Sequence, residues 1–198
     1  MNNQSKVLFL VEVAIFSALA MLLDLLSGFL TGRFWPNGGS VSIAMVPVMI
    51  MAFRWGLKGG LLTGFLFGAL QVILGTAYMV HFIQVFVEYF LAFTVVGLAG
   101  IVAAQVRSGL AERNGKKWVS YIIIGTIIGS FFRFIVHYIA GIVFWASTAP
   151  SGVPVAWFSF TYNGAYMLIS CIICAALLLL LMPALPKKYS AHAQVKAI

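Results

Sequence analysis

The chain has 198 residues, of which 63% are apolar and only 8% are charged, and its mean hydropathy is +1.07. A soluble globular domain carries about 25% charged residues, so this composition excludes one and predicts an all-α integral membrane protein. The net charge of +8 is also explained by membrane topology, so it does not require a nucleic-acid partner.

Six apolar segments follow one another along the chain and predict a single six-helix membrane domain over residues 1–198. Their predicted bounds are about 7–30, 43–53, 59–75, 83–105, 118–145 and 157–182. The first segment stays apolar beyond Ala20, which favours a retained helix over a cleaved signal peptide. The second is short and is predicted to be interrupted at Pro47.

Positive charge is distributed unevenly between the two ends of the predicted bundle. Ten of the twelve positive residues fall on alternate connections and on the chain ends, namely Lys6, Arg54, Lys58, Arg107, Arg113, Lys116, Lys117, Lys187, Lys188 and Lys196. Cytoplasmic loops of membrane proteins are enriched in lysine and arginine, so both termini are predicted to be cytoplasmic. Arg33 then lies outside the cell and Arg133 lies within the membrane.

A polar stripe crosses the fifth apolar segment. Arg133, His137, Gly141 and Trp145 are spaced four residues apart, which places them on one face of an α-helix. A charge that faces hydrocarbon costs at least a few kcal/mol, so this face must contact protein or water.

Three different segments bring polar groups to a similar depth in the outer half of the membrane. The predicted topology places Glu88, His137 and Asn163 there. Aromatic residues accompany them in and around these segments, namely Trp35, Tyr78, Tyr89, Trp145, Trp157, Phe158 and Tyr162. A carboxylate among aromatic faces is typical of a pocket for a small, flat cation.

Structural interpretations of the same residues remain open. Glu88 could form an ion pair with Arg133 or His137 that only holds helices together, and aromatic residues at helix ends often form an interfacial belt. Glu12 and Asp24, in the first segment, are each predicted to have a buried partner or a helix-end position. No arrangement of catalytic side chains or metal ligands stands out, so an enzyme has little support.

Five motifs, in the same order, resemble the thiamine-specific membrane subunit of energy-coupling factor transporters. They are Gly38-Gly-Ser-Val-Ser-Ile-Ala-Met-Val-Pro47, Phe53-Arg-Trp-Gly-Leu-Lys-Gly-Gly60, Val87-Glu-Tyr-Phe-Leu-Ala-Phe93, the stripe from Arg133 to Trp145, and Tyr162-Asn163-Gly164. The resemblance implies a six-helix subunit of the plasma membrane that captures thiamine near the outer face. It also implies partners, namely a transmembrane coupling subunit and two cytoplasmic ATPases, and it implies no cofactor.

The resemblance implies roles for individual residues around the thiamine rings. Glu88 would face the thiazolium cation, and Trp145 would stack on the ligand together with a loop tryptophan, for which Trp35 is the candidate. The other residues implied in the pocket are His137, Tyr89, Asn163, Gly141 and Tyr78.

Two further positions and one surface follow from the resemblance. Arg133 would lie toward the hydroxyethyl end of thiamine, or toward the phosphate of a thiamine ester. Phe158 stands where some members have tyrosine, so it is expected to stack without donating a hydrogen bond. Ala14 and Ala18 resemble the small-residue face that contacts the coupling subunit.

Two other functions remain as alternatives. One is a stand-alone proton- or sodium-coupled carrier of another organic cation, such as choline. The other is a scaffold in which the polar cluster is only structural.

Overall fold

Helices make up most of the computed structural model, which describes residues 3–35 and 39–185. The main helices are α1 (Asn3–Thr31), α2 (Met45–Trp55), α3 (Leu57–Ile73), α4 (Phe82–Ala111), α5 (Gly115–Phe144) and α6 (Val155–Leu181). Their order agrees with the six predicted apolar segments. The predicted basic tail with Lys187, Lys188 and Lys196 lies outside the described residues.

Four of these helices are long and apolar enough to cross a membrane. In the described ranges, the candidate spans are Asn3–Phe34, Phe82–Ala111, Gly115–Phe144 and Val155–Ala184. A helix rises about 1.5 Å per residue, so 30 residues exceed the roughly 30 Å of a bilayer core. The all-helical membrane fold is therefore confirmed, while α2 and α3, with 11 and 17 residues, are too short to settle the number of crossings.

Helix α2 forms the centre of the bundle. Its nine consecutive residues from 45 to 53 are all buried, as expected for a helix that is apolar on every side. Pro47 does not interrupt this helix, contrary to the prediction, because it lies in the first turn, where a missing backbone N–H breaks no intrahelical hydrogen bond.

Helices α3 and α4 approach each other through glycines. A Cβ atom at Gly64 would collide with the backbone carbonyl of Phe93, and one at Gly68 would collide with that of Tyr89. Gly60 lies equally close to the backbone of Gly97. Small residues allow this close backbone contact, which fixes the first half of α4 against α3.

Helix α4 is not a regular α-helix, in contrast to the uniform helix that the sequence predicts. Residues Phe86–Leu91 form a π-helical segment, and residues Gly97–Val102 form a 3₁₀ segment. Glu88 and Tyr89 both lie in the π-helical segment. Such segments occur mostly as single bulges and are frequent at functional sites.

A largely buried ion pair joins α1 to the end of α2. The Arg54 guanidinium donates to Glu12 at 2.6 Å, and Trp55 Nε1 donates to the other oxygen of the same carboxylate at 2.7 Å. Arg107 of α4 donates to the carbonyls of Phe53 and Arg54, at 3.1 and 3.2 Å. The prediction of a buried partner for Glu12 is confirmed.

Candidate functional site

A cavity of about 110 Å³ lies among α1, α3, α4, α5 and α6. Nine of the ten predicted site residues contribute to its wall, namely Tyr78, Glu88, Tyr89, Arg133, His137, Gly141, Trp145, Phe158 and Asn163. The wall also includes Tyr162, which the sequence analysis named among the accompanying aromatic residues. Eight further wall residues were not placed there by the sequence analysis: Asp24, Gly39, Ser40, Gln71, Phe93, Thr148, Ser159 and Tyr166. The start of α4 and the end of α5 therefore meet at one site, as the topology predicts.

Glu88 is held by neutral donors. Trp145 Nε1 donates to its Oε1 atom at 2.9 Å, and Gln84 Nε2 donates to its Oε2 atom through a short hydrogen bond. The two ion pairs found in residues 3–35 and 39–185 both lie elsewhere. Glu88 therefore forms no structural ion pair with Arg133 or His137 there, and its charge is not balanced by a direct partner.

Gln84 links the α3–α4 loop to this carboxylate. Its side chain is fully buried, its Nε2 atom also donates to the Tyr78 carbonyl at 3.1 Å, and its Oε1 atom accepts from the Val80 amide at 3.2 Å. The Tyr78 amide in turn donates to the Tyr89 hydroxyl at 2.7 Å. The loop that carries Tyr78 is thus bonded to both residues of the π-helical segment that line the cavity.

The aromatic side chain beside Trp145 is Tyr78. The centroids of their rings lie 5.7 Å apart, with an interplanar angle of 34°. Trp35, the predicted stacking partner, does not line the cavity. It packs edge-on against Tyr166, at 6.2 Å, and Tyr166 forms part of the wall.

The polar stripe of α5 faces the cavity along its whole length. Arg133 is buried, its Nε atom donates to His137 Nε2 at 3.4 Å, and its guanidinium carbon lies 4.3 Å from the centre of the Phe93 ring. This cation–π contact provides part of the stabilisation that a buried guanidinium needs. The spacing argument correctly placed this face toward protein rather than lipid.

Gly141 lies where α5 packs against α6. A Cβ atom there would collide with Ser159 Oγ and lie 3.1 Å from Asn163 Nδ2. A side chain at position 141 would therefore displace side chains of α6, whereas Gly141 itself lines the cavity. Ser159 Oγ donates to the Tyr138 carbonyl at 2.8 Å, and the Tyr166 hydroxyl donates to Asn163 Oδ1 at 2.6 Å, so this contact is also tightly bonded.

Asp24 is the charged wall residue that the sequence analysis missed. Its Oδ1 atom accepts from Ser42 Oγ at 3.0 Å, and its Oδ2 atom accepts from Gln71 Nε2 at 2.6 Å. The predicted partner is confirmed, but the position in the cavity was not foreseen. The sequence offered one signal for this position, namely the presence of an acid, Asp24, and an amide, Gln71, inside apolar segments. No group of three potential metal-binding side chains occurs in the described part of the chain.

Comparison with known proteins identifies the family. The family model described as "thiamine transporter protein" matches residues 10–190. The chain is 40% identical over 187 residues to the thiamine transporter ThiT of Bacillus subtilis strain 168, covering 94% of this chain and 96% of that protein. It is 30% identical over 194 residues to the thiamine transporter ThiT of Lacticaseibacillus paracasei, covering 96% of this chain and 94% of that protein.

A solved structure supports the same relationship. The structure of ThiT from Listeria monocytogenes matches with a TM-score of 0.85 at 32% identity, covering 93% of this chain and 98% of that chain. These matches confirm the resemblance seen in the sequence motifs. They also confirm the prediction that the chain is a multi-pass protein of the cell membrane. On the strength of a match that spans most of its length, this chain belongs to the thiamine transporter family.

Proposed function

We propose that this chain captures thiamine in the cavity described above, with Glu88 as the counter-charge of the thiazolium ring. The supporting observation is the arrangement of this carboxylate, which Trp145 and Gln84 orient but which no ion pair neutralises within the described residues. A partly buried charge without a charged partner is costly, so a cationic ligand is favoured.

The remaining wall residues suit the two rings of thiamine. Tyr78 and Trp145 provide adjacent aromatic faces, which attract a cation and stack on a flat heterocycle. His137, Tyr89 and Asn163 are assigned to polar contacts with the ring atoms. Phe158 has no hydroxyl and is assigned to packing alone. Trp35 acts indirectly, by supporting Tyr166.

The proposed orientation has six membrane helices in one domain, both termini in the cytoplasm, and the cavity near the outer surface. Its support is the charge of the connections. At the cavity end, the connections of residues 74–81 and 145–154 contain no lysine or arginine. The α1–α2 connection, which contributes Gly39 and Ser40 to the cavity wall, contains one, Arg33. Arg113, Lys116 and Lys117 lie at the opposite end of α4 and α5.

The proposed partners are a transmembrane coupling subunit and two cytoplasmic ATPases that drive high-affinity uptake. Ala14 and Ala18 of α1 are exposed, whereas Val13 and Ser17 are buried against the bundle. A small-residue face that points away from its own bundle permits close contact with a helix of another protein.

Titration of the purified protein with thiamine, followed by tryptophan fluorescence, tests the binding site. Glu88→Gln should weaken binding roughly 10- to 100-fold, because a hydrogen-bonded charge contributes about 1.5–3 kcal/mol. Glu112→Gln is the matched control, since Glu112 is exposed and pairs only with Lys117. Unchanged fluorescence of the wild type with thiamine would reject the assignment.

Uptake by proteoliposomes tests the mechanism separately. Proteoliposomes that contain the complete complex should accumulate thiamine only when ATP is present on the side of the membrane that carries the ATPases. Accumulation by this chain alone, driven by a proton or sodium gradient, would instead identify the stand-alone carrier.

A further inference from the structure

We propose that Asp24 is a second carboxylate of the binding site, which neutralises Arg133 and thereby makes the cavity select thiamine over its phosphate esters. This inference rests on the proposed function. Neither the sequence motifs nor the family relationship assigns Asp24 a role in recognition.

The position of Asp24 is fixed from two sides. Ser42, in the α1–α2 connection, and Gln71, in α3, each donate to one of its oxygens. Both donors are neutral, so they orient the carboxylate without cancelling its charge. A carboxylate has further acceptor sites on each oxygen, which leaves it able to interact with groups inside the cavity.

Arg133 and Asp24 line the same cavity. The two groups are not a direct ion pair, since both ion pairs of the described ranges lie elsewhere. The only described hydrogen bond of the Arg133 side chain goes to His137 through Nε. Its terminal nitrogens are therefore available to a ligand, unless another charge reduces their attraction for anions.

Charge balance gives the consequence. In their ionised forms, the two wall carboxylates, Asp24 and Glu88, and the guanidinium of Arg133 leave one negative charge unbalanced. A ligand with a single positive charge neutralises the site. A phosphate ester brings about 1.5–2 negative charges at neutral pH and would leave the buried site strongly negative.

A site without Asp24 would have a different charge balance. Glu88 and Arg133 would then balance each other, and the guanidinium would be free to bind a phosphate through two parallel hydrogen bonds. Asp24 therefore determines whether the site accepts the hydroxyl of thiamine or the phosphate of its esters, whereas Glu88 interacts with the ring cation.

Asp24→Asn is the variant that tests this role. Asparagine has the shape of aspartate and can still accept from Ser42. Gln71 Oε1 is buried and has no hydrogen-bond partner among the described residues, so rotation of the Gln71 amide lets this oxygen accept from the new amide group. Asp24→Ser, with a smaller polar side chain, is the second variant if the first fails to fold, and a thermal-shift measurement establishes folding.

The measurement compares dissociation constants for thiamine and thiamine monophosphate. We expect Asp24→Asn to reduce the preference for thiamine by about tenfold or more, because a charge inside the cavity is removed, while the surface control Glu112→Gln keeps it. In an Arg133→Gln background, the same substitution should improve binding of the monophosphate by a smaller factor than it does with Arg133 present.

Each outcome has a distinct meaning. An unchanged preference in both folded Asp24 variants would overturn the inference and leave thiamine binding intact. An Asp24 effect of the same size without Arg133 would also overturn it, since it would show that Asp24 does not act through the guanidinium. A wild-type protein that binds neither ligand would instead refute the proposed function.

Discussion

Replacement of Gln84 by leucine isolates the contribution of the hydrogen-bond network behind Glu88. Leucine has a similar volume but removes the donor to the Glu88 carboxylate and to the Tyr78 carbonyl, and the acceptor for the Val80 amide. Because Gln84 is fully buried, water cannot readily replace these bonds.

The magnitude follows from the types of bond that are lost. A hydrogen bond to a charged group contributes about 1.5–3 kcal/mol, and each neutral bond contributes about 1 kcal/mol. The bond to Glu88 orients the proposed counter-charge, so its loss should raise the dissociation constant for thiamine roughly 10- to 150-fold. The two loop bonds should lower the free energy of unfolding by about 2 kcal/mol.

Isothermal titration calorimetry measures the affinity, and a thermal-shift assay measures the stability. Gln105→Leu is the matched control, because Gln105 lies in the same helix outside the cavity wall. Its Oε1 atom is buried and has no hydrogen-bond partner within residues 3–35 and 39–185. A folded Gln84→Leu protein that binds thiamine as tightly as the wild type would refute the idea that Gln84 positions Glu88.

Two further substitutions test neighbouring contacts. Trp145→Phe keeps an aromatic ring but removes the donor to Glu88, so calorimetry should show binding weakened by about tenfold or more; equal affinity would show that this hydrogen bond is unimportant. Gly64→Ala should lower stability by about 1–3 kcal/mol in a thermal-shift assay, because the added methyl group meets the Phe93 backbone. Gly28→Ala should not be destabilising, because the added methyl group would meet no described atom within 4 Å apart from its chain neighbours and its own helix backbone. A similar loss of stability in both variants would contradict the packing argument.

Hydropathy and residue spacing predicted the helices and the polar stripe well. The fifth segment was predicted at about 118–145, and α5 spans Gly115–Phe144. The earlier start is explained by Asn114, whose side chain accepts from the Lys117 amide at 3.1 Å and caps the helix. Periodicity identifies the face of a helix because it depends only on local geometry.

Features that depend on contacts between distant segments were not predictable in the same way. A single acid such as Asp24 does not indicate which helices surround it, so its place beside Gln71 emerged only from the fold. Trp35 follows a helix end, and its side chain points toward Tyr166 rather than into the cavity. The π-helical segment also escaped prediction, since a local change of winding leaves the hydrophobic composition unchanged.

The two irregular segments of α4 have opposite effects on the rotation of the chain. A π-helix turns less per residue than an α-helix, and a 3₁₀-helix turns more, at 3.0 residues per turn. The segments Phe86–Leu91 and Gly97–Val102 have six residues each, so the angular lag of the first is largely recovered by the second. The angular lag of six π-helical residues is about the rotation of one α-helical residue. A one-residue deletion that restored α-helical winding there would therefore remove the bulge around Glu88 and still keep Gly97 and Gly100 facing α3. The geometry around Glu88 is thus separable from the packing of the far half of the helix.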